Sequence, residues 1–382
     1  MRRTSLVLSL ATLVASATGA SLAVTPALAT ASPTVHVMAS HLSNPRGLSM
    51  SADGVLYVAE SGRGGSHCFT DPTSEMGTAC VGLTGSIDRV GARGVTRIVS
   101  GLLSFAGPDG SFAGGISAVS ASGGHIYGVF GGNTVGVAGA PLPPYLVKAA
   151  LRQLGQFGWV SGGEFHPAAG VGDHDYAWSN RHKYLGLGQF PDSNPNGVLV
   201  TDGERFVVDA GANTLDEIDA NGTIHVLTFL GVPAGSITDA VPTCAAKGPD
   251  GAIYVGELLG GNYAPGHARV WRIEVTNGRA TKSVWARGLT TIQGCGFDKW
   301  GNFYATEFQA GGLSFGPTSS PLGAVVKIAP NGHRTTLGMG QLFFPSGFAA
   351  GPDGSVYVSN CSIAPSSGFG PCPDGGQVVR IG

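Results

Sequence analysis

Apolar residues along this chain come in short strand-length runs separated by polar, glycine-rich turns, and the runs are ordered into a recurring phrase. It reads as proline or glycine, a short apolar strand, a D-G-type turn, then Tyr-Val-x-acid. The phrase runs from Pro45-Arg46-Gly47 through Asp53-Gly54 to Tyr57-Val58-Ala59-Glu60. It returns as Pro249-Asp250-Gly251 to Tyr254-Val255-Gly256-Glu257, and as Trp300-Gly301 to Tyr304-Ala305-Thr306-Glu307. A further copy joins Pro352-Asp353-Gly354 to Tyr357-Val358-Ser359-Asn360. Weaker copies carry Gly124 to Tyr127 and Asp202-Gly203 to Phe206. In the later copies the aromatic anchors recur about every 50 residues, the length of one four-stranded propeller blade. The six anchors Tyr57, Tyr127, Phe206, Tyr254, Tyr304 and Tyr357 predict an all-β, six-bladed β-propeller.

Closure is also legible. Most units end in an outer strand, such as Val95 to Leu102 in the first and Thr223 to Leu227 in the third. The sixth unit stops at Val378-Val379-Arg380-Ile381-Gly382 without one. The segment Thr34 to Leu42, ahead of the first unit, has the missing pattern. It is expected to complete the last blade and leave no open seam.

Composition narrows the setting. Arg2 and Arg3, the apolar run Leu6 to Val14, and Ala27-Leu28-Ala29 before Thr30 form an export signal over residues 1–29. The run is too short to span a membrane. Residues 30–382 are therefore expected to be one secreted, extracytoplasmic propeller domain and a monomer, without a membrane span. A net charge of −2 with 12% charged residues argues against nucleic acid as a partner. Six cysteines in an exported chain predict disulfides. Cys68 and Cys80 share one loop, and Cys361 and Cys372 another, while Cys244 and Cys295 fall at nearly the same point of neighbouring units. The repeat register thus favours the pairs 68–80, 361–372 and 244–295.

Extra length is concentrated between the second and third strands of units and between blades. It occupies Ser61 to Thr84, a second-blade insertion at about 131–153 with a helix from Pro144 to Leu154, and a blade 2–3 connection at about 172–193. Gln309 to Leu322 and Ser362 to Gly375 add to it. In a propeller these connections leave one face, which becomes the expected face for an unidentified protein or small-molecule ligand.

Three segments stand out beyond the blade phrases: Leu42-Ser43-Asn44-Pro45-Arg46-Gly47-Leu48, Gly172-Asp173-His174-Asp175-Tyr176 leading to Ser193-Asn194-Pro195-Asn196-Gly197, and Thr290-Thr291-Ile292-Gln293-Gly294. With them the chain resembles the ScyD/ScyE family of secreted bacterial propeller proteins, related to NHL-type propellers. The resemblance spans nearly the whole mature chain. It implies the fold and carries no settled activity.

The residue three after each anchor is Glu60, Phe130, Asp209, Glu257, Glu307 or Asn360. The acids and the amide could form a ring at the channel mouth, with oxygen ligands suited to Ca²⁺ or another divalent cation. Equally, a polar residue at a strand end could serve loop backbone groups. The acidic set resembles the central metal arrangement of gluconolactonase-type propellers, which would make Asp173, His174 and Asp175 candidate bases for a metal-bound water. The local alternative has Asp173 capping a helix through Trp178 and His182. Tyr145, Trp159, Tyr176 and Trp178 are candidate ligand or partner contacts, or packing for the insertion. No G-x-S-x-G elbow is present, and the glycine clusters lack a phosphate-loop context. The leading reading is a non-catalytic binding or scaffold protein. The alternative is a metal-dependent, lactonase-like hydrolase.

Overall fold

The turn glycines of the repeat, Gly54, Gly251, Gly301 and Gly354, hold φ between +78° and +84°. Glycine enters this region without the Cβ penalty, so each first hairpin reverses in a minimal turn. The turn acid and the anchor aromatic are also bonded. Tyr254 donates its hydroxyl to Asp250 at 3.1 Å, and Tyr304 to Asp298 at 3.0 Å. The two parts of the phrase thus brace each other.

The structure, a computed structural model, describes residues 34–382 except 71–76, 186–189, 232–237, 261–264 and 315–318. The expected export signal lies outside the described residues. The strands form six antiparallel sheets, each a blade counted outward from the axis. Blade 1 comprises Pro45–Met50, Leu56–Glu60, Thr78–Gly91 and Gly94–Ala106, with His67–Thr70 paired to the start of its third strand. Blade 2 comprises Ile116–Ser122, His125–Phe130, Gln156–Ser161 and Glu164–Gly170. Blade 3 runs Pro195–Thr201, Glu204–Asp209, Thr214–Ile218 and Ile224–Phe229. Blade 4 runs Pro242–Lys247, Ile253–Glu257, Ala268–Thr276 and Arg279–Leu289. Blade 5 runs Ile292–Phe297, Phe303–Glu307, Leu322–Ile328 and Arg334–Phe343.

Blade 6 takes Phe348–Ala350, Val356–Asn360 and Gly376–Ile381 from the end of the chain and Val35–Leu42 from its start. The closing pair runs from Val35 opposite Ile381 to Leu42 opposite Gly376. Thr34 adds bonds in both directions to Gly382. The N-terminal segment therefore supplies the missing outer strand.

Neighbouring blades cover each other's faces, so consecutive strand residues can both be buried. Tyr304 and Val325 of blade 5 pack with Phe348, Val356, Val358, Val379 and Ile381 of blade 6. Tyr304 stacks on Phe348 with centroids 5.1 Å apart. Near the axis the strands approach closely. A Cβ on Gly294 would lie 2.3 Å from the Ser346 carbonyl oxygen, and one on Gly347 the same distance from that of Arg46. Glycine is what lets these inner strands meet.

Two helices occupy long connections. Helix α1, Pro144–Gln153, begins with proline and buries Leu146 and Ala150. They join Leu103 of blade 1 and Phe130 and Phe165 of blade 2 in one cluster. Helix α2, Val171–Arg181, fills the blade 2–3 connection. Among the described residues no helix is long and apolar enough to cross a membrane.

Three disulfides are present: 68–80, 244–295 and 361–372. Cys68 and Cys80 face each other across paired strands, whereas 244–295 joins the inner strands of blades 4 and 5. Loop-closure entropy grows with the spacing of the linked residues, here 12 and 51. Removing 244–295 by paired Cys→Ala substitution is expected to cost about 4 kcal/mol, against about 3 for 68–80. Denaturant midpoints of the two double variants test the order.

Candidate functional site

The inner strand of each of the first five blades is irregular at one place. Its pairing with the second strand shifts between Pro45 and Leu48, Ile116 and Ala118, Pro195 and Gly197, Pro242 and Cys244, and Ile292 and Gly294. Such a bulge re-aims a side chain out of the ladder. The residues at the bulges are Arg46, Ser117, Asn196, Thr243 and Gln293, and Ser346 holds the corresponding place ahead of blade 6. All six line one central cavity of about 310 Å³. The next residue around the ring is Gly47, Ala118, Gly197, Cys244, Gly294 or Gly347, each small enough for the packing just described. The sixfold repeat thus ends in a ring of polar side chains around the channel.

The cavity reaches the long-loop face. Phe105 near the end of the outer strand of blade 1, Phe112, Ala113, Gly114 and Gly115 from the blade 1–2 connection, Gly131 and Asn194 line it there. Arg46 is the one charged residue among its described lining. Its Nη2 donates to the Ala113 carbonyl at 2.6 Å. Asn44 holds that connection in place. Buried with φ 52°, it donates Nδ2 to Gly62 and Gly110 carbonyls and accepts from Ala113 N–H.

The expected acidic ring is placed differently. Glu60, Asp209, Glu257, Glu307 and Asn360 end the second strands, one strand out from the axis, and none lines the cavity. Four of them share one task. Glu60 accepts from Ser43 N–H at 2.5 Å, Asp209 from Asn194 N–H at 2.7 Å, Glu307 from Thr290 N–H at 2.8 Å, and Asn360 from Phe343 N–H at 2.7 Å. Each donor lies 15–17 residues upstream, where the chain crosses in from the preceding blade. A buried amide at such a crossing needs an acceptor, and the repeated acid supplies it. In blade 2 the position is Phe130, and Asn44 serves the Ala113 amide instead.

Glu257 has another set of partners. Its carboxylate takes Arg269 N–H, Nε and Nη2 at 2.7–3.0 Å and Trp271 Nε1 at 2.6 Å. Asp209 is equally engaged, by Ser193 Oγ and by the Gly211 and Ala212 amides as well as Asn194. Cation ligation by this set would require these bonds to be given up. Among the described residues, no three His, Cys, Asp or Glu side chains are grouped to hold a metal. The donor set does not fit a central cation.

Burial raises these carboxyls. Glu60 is pushed up to about 8, first by burial and then by Asp88 against it, with Arg97 at 3.2 Å opposing. Burial lifts Glu307 to about 7 and also raises Glu257, the latter against its Arg269 bonds. In blade 3, burial and the nearby Asp175 raise Asp209 to about 8. The same two causes hold Asp216 well above the usual carboxylate range.

The segment Asp173-His174-Asp175 lies on α2, away from the cavity lining. Asp173 makes no helix cap. It accepts from Thr134 N–H and Oγ1, each at 2.7 Å, tying α2 to the second-blade insertion. His174 Nδ1 lies 2.7 Å from Asp175 Oδ1. Thr214 Oγ1, with one proton to give, lies 3.2 Å from Asp175 Oδ2 and 2.9 Å from Asp216 Oδ2. Asp216 Oδ1 has no partner.

The aromatic candidates serve separate sites. Tyr145 meets His67 at 3.0 Å on the blade 1 hairpin. Trp159 stacks on His166 in the outer half of blade 2. Trp178 stacks on His182 and borders Phe229 of blade 3. Tyr176 is half-buried on α2. The bulge ring is what sequence reasoning missed. Its signal is the residue between Pro or Ile and a small residue at the head of each inner strand.

Comparison with solved structures places this architecture. A gluconolactonase from Xanthomonas campestris is 10% identical, with 92% of this chain and 90% of that chain covered at TM-score 0.51. A protein of unknown function from Bacteroides thetaiotaomicron is 9% identical, with 92% and 76% covered at TM-score 0.53. A virginiamycin B lyase from Staphylococcus aureus is 12% identical, with 86% and 83% covered at TM-score 0.46. The likeness to the first two is one of fold. No protein-family model matches the chain, and no curated protein matches it by sequence.

Two outcomes are expected. A chelator should leave the melting temperature unchanged, because the acids are already bonded within the protein; a fall on chelation, reversed by Ca²⁺, would count against that assignment. The second concerns pH. A carboxyl with a raised folded value holds its proton where the unfolded chain has lost it, so its stabilisation is intact below about pH 4 and declines through the folded value. For Asp209 and Glu60 that value is about 8. Asp216→Asn keeps the size of the side chain and cannot ionise. It should narrow the difference in melting temperature between about pH 5 and about pH 8.5 by about 2–4 °C.

Proposed function

We propose that this protein is an exported, non-catalytic binding propeller of the ScyD/ScyE type, taking a small polar ligand into the channel mouth from its long-loop face. The carrying observation is the bulge ring: six equivalent residues, all able to hydrogen-bond, facing one cavity of about 310 Å³. That volume suits a small molecule, and convergent polar groups in a preformed cavity are the usual mark of a ligand site. The segments behind the family resemblance support the reading, because they supply Arg46, Asn194, Asn196 and Gln293 to the cavity wall. The disulfides support an oxidising compartment.

The test is a ligand-observed NMR screen of small polar metabolites, including lactones and esters, against the wild type, Ser117→Trp and Trp159→Ala. The indole introduced by Ser117→Trp would fill the cavity, while Trp159 lies outside it. Hits are expected to bind the wild type and Trp159→Ala unchanged and to lose binding in Ser117→Trp. Hits insensitive to Ser117→Trp would move the site elsewhere. Conversion of a lactone or ester to its acid would favour the hydrolase instead.

A further inference from the structure

Four arginines of the blades come with carboxylates. Arg97 pairs with Asp88 and Glu60, Arg269 with Glu257, Arg272 with Asp250 and Glu274, and Arg380 with Asp353. Arg46, in the cavity wall, differs from these four. Among the described residues it forms no ion pair, and the described lining of its cavity contains no Asp or Glu. Among the described residues its guanidinium donates one hydrogen bond, to a neutral carbonyl, that of Ala113. A guanidinium offers five N–H donors in a planar fork, so most of its capacity is left unused by the protein.

The setting makes this costly. Arg46 is half-buried in the cavity wall, and burial lowers it to about 10. A desolvated cation without a counter-charge is unfavourable, and a protein that keeps one pairs it with something. No carboxylate among the described residues fills that role here. The backbone of Arg46 and the segment that accepts from its guanidinium are both fixed. Ser359 Oγ donates to the Arg46 carbonyl at 2.5 Å, and Asn44 fixes the Ala113 segment that receives the guanidinium. At the same level of the ring, Asn196 and Gln293 bring neutral amides and Ser117 a hydroxyl to the wall.

Resting on the reading of the channel mouth as the ligand site, we propose that this site takes a small organic oxyanion, its carboxylate or phosphate held by the Arg46 guanidinium and its uncharged remainder by Asn196 and Gln293. The fork matches two oxygens of either group at once, which an ammonium cannot do. The ligand is small because the cavity is about 310 Å³, and singly anchored because the described lining has one cation.

Isothermal titration with four probes tests the class. Malonate and glycerol 3-phosphate are the anionic arms, and malonamide and glycerol are their neutral counterparts. The wild type is expected to bind at least one anion and to bind its neutral counterpart at least about tenfold more weakly. Whichever anion binds more tightly identifies the group. Arg46→Gln should abolish that preference. Arg46→Lys, which keeps the charge and loses the fork, should weaken it less, and it serves alone should the Gln variant not fold. Equal binding of anions and neutral analogues, or anion binding unaffected in either variant, overturns the proposal. If neutral probes bind and are lost in Ser117→Trp while neither anion binds, the oxyanion assignment fails and the channel site stands. If no probe binds the wild type, the oxyanion assignment fails, and the metabolite screen with Ser117→Trp then judges the channel site separately.

Discussion

The structure depends on ring closure. A propeller blade has no stable outer face of its own, because each side must be covered by a neighbour. Pairing Val35–Leu42 with Gly376–Ile381 turns a row of blades into a circle and removes the free edge. The consequence reaches the channel. The seam between blades 6 and 1 is where Gly347 packs on the Arg46 carbonyl and where Ser359 bonds to it. The contact that closes the ring also positions the one charged residue among the described lining of the cavity.

Within that circle, charge is sorted by distance from the axis. Carboxylates end the second strands, where they accept amide protons at the crossings between blades or take an arginine fork. They stay outside the cavity and act as latches. Blade 3 is the exception in balance. Among the described residues, Asp175, Asp209 and Asp216 gather there without an arginine, and burial keeps protons on the latter two to higher pH than usual. The channel wall itself is polar and nearly uncharged.

The long connections build the face around this opening. Helix α1 is fastened by Leu146 and Ala150 and by Gln153 accepting from the Leu103 amide. Asp173 ties α2 to the same insertion. Asn194 Oδ1 accepts from Gly132 N–H, so the wall of the cavity and the insertion share a bond. Aromatic side chains in these segments are spent on separate packing contacts, which leaves the channel mouth as the place where polar groups from several blades meet.

The sequence by itself determined the number of blades, the closing strand and the spacing of the cysteines. All three follow from a local period: the D-G turn, the anchor aromatic and the apolar strand are each written within one unit. It also marked the acids as a repeated set. What the acids do was decided only in three dimensions, because their partners, such as Ser43 for Glu60, lie in the crossing from the blade before. The same holds for the ring of Arg46, Ser117, Asn196, Thr243, Gln293 and Ser346. These residues are of five types, so no one repeated letter announces them. A bulge at one register position, closed into a circle, is what brings them together. Period is a property of the chain, whereas convergence on an axis is a property of the closed ring.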